Sequence, residues 1–219
     1  MGVFFSNIYT FRSDPDSADN SFIEKIDENV SHIKYGDSFS NACRFNIDDI
    51  TKAVSTLSKN KACSHDCIYN EHVIYGGKAL HSFLLKLYNY MFKFSYIPKK
   101  MKFGLIVTLF KGGKKRKDDP NNYRAITLSS AILKLYEALL LDVVKSDINV
   151  SLNPLQFGFQ KGVSCTMTSF LLKECICHAR ENGSKLYACF LDIKKAFDKV
   201  WHNGLFHKLH DMGVSTATL

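Results

Sequence analysis

The chain has 219 residues, 46% of them hydrophobic and 13% aromatic, which is enough apolar material to bury a sizeable core. A formal charge of +8 and a pI near 9.0 admit a polyanionic partner such as nucleic acid without requiring one. An odd count of 7 cysteines in no framework spacing excludes a disulfide scaffold. With no secretory leader pattern and no apolar run near the roughly 20 residues that cross a bilayer, the expectation is an intracellular protein, cytoplasmic or nuclear, without a membrane span.

In chain order, residues 1 to 45 read as a linker or poorly ordered arm, because Asp14, Pro15, Asp16, Ser17, Asp19 and Asn20 form a polar, turn-rich patch. From Asn46 the pattern sharpens. Ile47, Ile50, Val54 and Leu57 recur at helical spacing behind a residue able to cap, with Asp48 and Asp49 in the first turn. A second helix follows Gly76-Gly77, where Leu80, Phe83, Leu84, Leu87, Tyr88, Met91 and Phe92 draw an apolar stripe that ends at Ile97-Pro98. Phe103 to Phe110 and Tyr123 to Leu128 are β-branched and aromatic runs flanking a polar loop, and predict a β-hairpin with a long basic tip. Ile132, Leu135, Tyr136, Leu139 and Val143 mark a third helix, and Thr166 to Glu181 a fourth that stops at Asn182-Gly183. Leu186 to Leu191 is a continuous apolar run of strand length that ends at Asp192, and His202 to Asp211 predicts a last helix with Leu205, Phe206 and Leu209 inward, closed by Gly213.

The chemistry-bearing candidate is that acidic strand end. A carboxylate at the rim of a sheet can hold a hard divalent cation together with a substrate phosphate, although a single aspartate there more often caps the turn that follows. Its neighbours separate the two readings: Asp192-Ile193-Lys194-Lys195-Ala196-Phe197-Asp198-Lys199-Val200-Trp201-His202 continues with small and aromatic residues at set offsets. The segment from Phe190 to His202 resembles motif A of reverse transcriptases, in the form used by non-LTR (LINE-like) retrotransposons. Other blocks resemble the same family in its order. These are Asn60-Lys61-Ala62 through Asp66 with Asn70-Glu71, Leu109-Phe110-Lys111-Gly112-Gly113, Pro120-Asn121-Asn122-Tyr123-Arg124-Ala125-Ile126-Thr127-Leu128, and Asn153-Pro154-Leu155-Gln156-Phe157-Gly158-Phe159.

The resemblance implies an α+β fold. It would comprise a right-hand polymerase fingers subdomain over residues 46–183, built of helices and one long β-hairpin, then the start of a palm over residues 184–219. It also implies RNA-directed DNA synthesis, with template RNA, a primer DNA end and deoxynucleoside triphosphates as partners and Mg2+ or Mn2+ as cofactor. On that analogy Asp192 and the carbonyl of Ile193 are metal ligands, and Asp192 is the catalytic carboxylate. Lys111, Arg124, Ile193, Ala196 and Phe197 would contact the nucleotide, with Phe197 excluding a ribose 2′-hydroxyl. Lys114, Lys115, Arg116, Lys117, Gln156 and Lys161 would contact nucleic acid. Independently of the family, a hairpin so rich in cations suits a triphosphate or a nucleic-acid backbone.

Departures matter as well. The family draws further carboxylates from an aromatic-x-Asp-Asp segment beyond motif A, and the two Asp-Asp pairs here, Asp48-Asp49 and Asp118-Asp119, both precede it. This polypeptide alone is therefore expected to lack polymerase activity. Ala125 replaces a usual proline, and Ser64-His65-Asp66-Cys67 replaces a glycine-rich turn, which puts the backbone at Cys67 in doubt because a side chain disfavours positive φ. Cys63, His65 and Cys67, like Cys175, Cys177 and His178, lack the two-residue gap of common zinc sites and read as incidental thiols. Rival readings are a noncatalytic nucleic-acid-binding remnant and a group II intron maturase-like protein. Neither oligomeric state nor the RNA copied is legible.

Overall fold

The computed structural model describes residues 20–35, 44–148, 153–160, 162–193, 196, 197 and 199–219. They fall into two compact units, one drawn from residues 1–149 with 197–219 and the other from 150–196. The secondary structure is mixed: helices and one two-stranded antiparallel sheet.

In the first unit, α1 spans Asn20–Tyr35 and α2 spans Ile47–Ser55. Helix α2 opens on a reciprocal cap. The Asn46 side chain accepts the Asp48 and Asp49 amides at 2.8 and 3.0 Å, and the Asp49 carboxylate accepts the Asn46 amide at 2.9 Å. Helix α3, Asn70–Tyr75, leaves no mark in the sequence pattern, since six residues are too short to show a period. Helix α4, Gly77–Lys93, buries Leu84, Tyr88, Met91 and Phe92, whereas Phe83 on the expected stripe is 61% exposed. Helix α5, Ala131–Asp147, is capped by the Ser130 hydroxyl, which accepts the Ile132 amide, and it buries Leu133, Leu135, Tyr136, Leu139 and Val143.

Helix α2 packs on both α4 and α5, with Phe45 set edge-on to Phe92 and to Tyr136. At the centre Tyr88 is fully buried, and its hydroxyl donates to the Ile132 carbonyl at 2.8 Å, tying α4 to the first turn of α5. Burial pushes the Tyr88 hydroxyl well above its ordinary pKa and that of Tyr136 up to about 12, so both stay neutral. Each such large side chain stabilises the core by roughly 1.5–3 kcal/mol through apolar burial.

Strands β1, Leu105–Phe110, and β2, Tyr123–Leu128, form the expected hairpin, with Leu105 opposite Leu128 and Phe110 opposite Tyr123. Its base is fastened to the helical core. The Ser64 hydroxyl donates to the Leu128 carbonyl at 2.6 Å. Burial pushes the Asp66 carboxyl up, but hydrogen bonds from the Ser130 hydroxyl and the Ile68 amide outweigh it and hold the group below its usual value. Asn70 donates to the Ser58 carbonyl at 2.7 Å, and Glu71 accepts the Asn60 amide, closing the same loop. Cys67 sits at φ 55°, so the turn keeps a conformation that suits glycine, at a cost of roughly 1 kcal/mol for the side chain it carries.

Three expectations are corrected. Residues 20–35 are helix, not linker or poorly ordered arm: Ile26 and Val30 are buried, and α1 packs on α7, His202–Asp211, where Asn203 donates to Asp27 at 2.9 Å. In α7, Leu205 is 45% exposed, and only Phe206 and Leu209 of the expected inward set are half-buried. In the second unit, α6 spans Cys165–Glu181 and ends at Asn182 and Gly183, the latter at φ 61°. Beyond it, Leu186 to Leu191 is not a strand. A strand exists only where a second segment satisfies its amides and carbonyls, and among the described residues nothing pairs with it, so Tyr187, Phe190 and Leu191 are 87%, 80% and 91% exposed.

The end of α5 holds the last residues of the chain. Asp147 pairs with Arg44 at 3.0 Å and accepts from the Ser215 hydroxyl at 3.1 Å and the Thr218 hydroxyl at 3.2 Å. Burial raises its pKa, but the amide and hydroxyl of Ser215, the Thr218 hydroxyl and the Arg44 guanidinium lower it further, for a net depression. A depressed carboxylate contributes stability that is present above the unfolded value near 3.9 and is lost as pH falls through the folded one. Asp147→Asn is therefore expected to unfold about 1 kcal/mol more easily than wild type at neutral pH in urea, with the difference closing as acid protonates the folded-state carboxylate; a gap independent of pH would contradict this.

Candidate functional site

The hairpin positions the cationic candidates. Residues alternate faces along a strand and face their direct partners across an antiparallel ladder, so Leu109 and its partner Arg124 share a face. The ladder extends one step further, because the Lys111 amide donates to the Asn122 carbonyl at 2.8 Å. Lys111 therefore stands on the face of Arg124, one diagonal step away. Its ammonium donates to the Asn121 carbonyl at 2.6 Å, which holds the side chain across the mouth of the hairpin. Arg124 is exposed, and among the described residues it has no acidic partner.

The connection between the strands is an organised loop. Gly112 and Gly113, at φ 74° and 72°, turn the chain through a conformation closed to most side chains. Asp119 accepts the Asn121 amide at 2.9 Å, the Asn122 side chain donates to the Arg116 carbonyl at 2.8 Å, and the Tyr123 hydroxyl donates to the Lys117 carbonyl at 2.9 Å. The Asn121-Asn122-Tyr123 wording thus builds the loop, while Arg124 is left exposed.

Arg116 is also absorbed locally. Its guanidinium makes a two-pronged pair with Asp118, which holds that carboxyl below the ordinary range and raises the arginine. Sequence reasoning misses the pairing role of Asp118, although the Arg-x-Asp spacing carries the signal. Lys114, Lys115 and Lys117 have no carboxylate partner among the described residues and form the exposed basic tip.

Asp192, Ile193, Ala196 and Gln156 belong to the second unit, and all are exposed. Asp192 follows the unpaired run Leu186 to Leu191. Gln156 is held by local bonds, its amide to the Asn153 carbonyl at 2.9 Å and its side chain to the Gly158 carbonyl at 3.2 Å. Phe197 belongs to the first unit and is 78% exposed, so it is not a core residue among those described. Lys161, Lys194, Lys195 and Asp198 lie outside the described residues.

Residues 113–219 match the family described as reverse transcriptase (RNA-dependent DNA polymerase). The probable RNA-directed DNA polymerase from transposon BS of Drosophila melanogaster is 31% identical over 170 residues, which cover 74% of this chain and 18% of that protein. The RNA-directed DNA polymerase from mobile element jockey of the same fly is 28% identical over 165 residues, again 74% of this chain and 18% of the relative. The retrovirus-related Pol polyprotein from the type-1 retrotransposable element R2 of Popillia japonica is 31% identical over 101 residues, 46% of this chain and 14% of the relative. The chain thus spans less than a fifth of the length of these relatives. Its ordered sequence blocks, the family match and this set of relatives together place the chain in the reverse transcriptase family, in the form carried by non-LTR retrotransposons.

Proposed function

We propose that this chain supplies the fingers, over residues 46–183, and the first part of the palm, over residues 184–219, of an RNA-directed DNA polymerase. The observation that carries the reading is the hairpin register, which sets Lys111 and an exposed Arg124, without an acidic partner among the described residues, on one face above a loop bearing Lys114, Lys115 and Lys117. Two cations side by side on a rigid ladder suit the adjacent phosphates of a deoxynucleoside triphosphate, and a basic tip suits the backbone of a template RNA.

Asp192, in the second unit, is the acidic candidate. A hard divalent cation prefers oxygen donors, and Asp192 with the Ile193 carbonyl offers two. Among the described residues no group of three potential metal-ligating side chains occurs, so the ligands present do not make up the carboxylate set that two-ion phosphoryl transfer needs. What this chain's residues do is bind and orient: Lys111 and Arg124 hold phosphates, Ala196 leaves room beside the sugar, and the Phe197 ring occupies the space of a 2′-hydroxyl. The tip lysines, Gln156 and Lys161 contact the template or primer strand.

Arg124→Glu is expected to weaken binding of a deoxynucleoside triphosphate by the purified chain at least about tenfold more than Lys115→Glu, as read by calorimetry. Equal losses would remove the assignment and favour a noncatalytic nucleic-acid-binding role. Phe197→Val, placed in a polymerase carrying the remaining palm, is expected to raise ribonucleotide incorporation relative to deoxynucleotide by about tenfold or more. Unaltered sugar discrimination would refute the gate.

A further inference from the structure

Helices α1 and α7 leave between them a groove of about 610 Å3, within the size range of pockets that hold small organic ligands. Its floor is aromatic and apolar: Phe22 is 56% exposed, Ile26 is buried, and the Trp201 indole lies against α7. That placement depends on Gly204. A methyl group there would come within 2.4 Å of a Trp201 ring carbon, so the missing side chain is what lets the indole lie flat on the helix. The walls are tied together by the bond from Asn203 to Asp27.

The rim carries Lys25 on α1 and Lys208 on α7, both without a carboxylate partner among the described residues. Among the lining residues Asp211 is the one acid, and it is met by His207 Nδ1 at 2.9 Å, while Asp27 at the wall accepts from Asn203. A purely apolar partner would use the floor and leave the lysines unsatisfied, and an acidic peptide would use the lysines and waste the floor. A ligand that joins a flat ring to flanking anions uses both, and aromatic stacking with nearby cations is how single-stranded nucleic acids are held without sequence preference. The net charge of +8 draws such a ligand in.

We propose that the groove between α1 and α7 binds a single-stranded nucleic-acid segment, one base stacking on Trp201 and Phe22 while its neighbouring phosphates meet Lys25 and Lys208. The groove shares no residue with the hairpin, and it stands or falls independently of the triphosphate reading.

Trp201 is the single tryptophan of the chain, so its emission reports on the groove alone. The full 219-residue chain would be titrated with pentaadenylate, as RNA and as DNA, while tryptophan emission and the anisotropy of a labelled oligomer are recorded. Both oligomers are expected to quench the emission saturably, in step with anisotropy. The Lys25→Ala, Lys208→Ala double variant, checked for unchanged circular dichroism, is expected to raise the midpoint about tenfold or more, and Lys78→Ala with Lys86→Ala, two exposed lysines of α4, to move it less than about twofold. Binding without quenching, quenching unaltered in the Lys25 and Lys208 variant, or equal quenching by polyglutamate would each overturn the proposal, the last by assigning the groove to an acidic protein.

Discussion

The pairing of Leu109 with Arg124 is the constraint on which the rest of the reading depends. Side chains alternate with a period of two, so a slip of one residue in this ladder would carry Arg124 to the opposite face and separate it from Lys111. Among the described residues the sheet has two strands, and an isolated hairpin is marginal in water, so the register must be fixed from outside the ladder. It is fixed at both ends. The Asp119, Asn122 and Tyr123 bonds close the loop, and Ser64, with the Asp66 to Ser130 contact, fastens the base to the start of α5.

That arrangement divides the family-like wording between two jobs. Asn70, Glu71, Asp66, Asn122 and Tyr123 are consumed by internal bonds that shape the loops, and α2, α4 and α5 supply the packed core against which those loops are set. Lys111, Arg124 and the tip lysines project from the resulting surface. A polar residue inside a motif therefore need not touch a ligand to be indispensable to the one that does.

Most of the helical frame can be read directly from the chain. The Asn46 cap, the apolar stripe of α4 and the basic hairpin all obey local rules of capping, periodicity and turn composition, and each stands where those rules put it. The misses share a different cause. Helix α1 hides behind a polar patch because its apolar side is narrow, with Ile26 and Val30 its buried members, and α7 covers it from far along the chain. Leu186 to Leu191 has every local mark of a buried strand, but strand formation is a property of two segments, and no local pattern supplies the second. Asp118 is a miss of another kind: its partner Arg116 lies two residues away, and the Arg-x-Asp spacing carries that signal. The charge and order of the candidate site are therefore legible, and its long-range pairing is not.

The proposal that the Lys111–Arg124 face holds a nucleotide is tested most directly by photocrosslinking an azido-substituted deoxyadenosine triphosphate to the protein and mapping the labelled peptides. The account predicts label in the hairpin, residues 105–128, displaced by unlabelled deoxyadenosine triphosphate. Label absent from the hairpin, or label that unlabelled nucleotide does not displace, would contradict it.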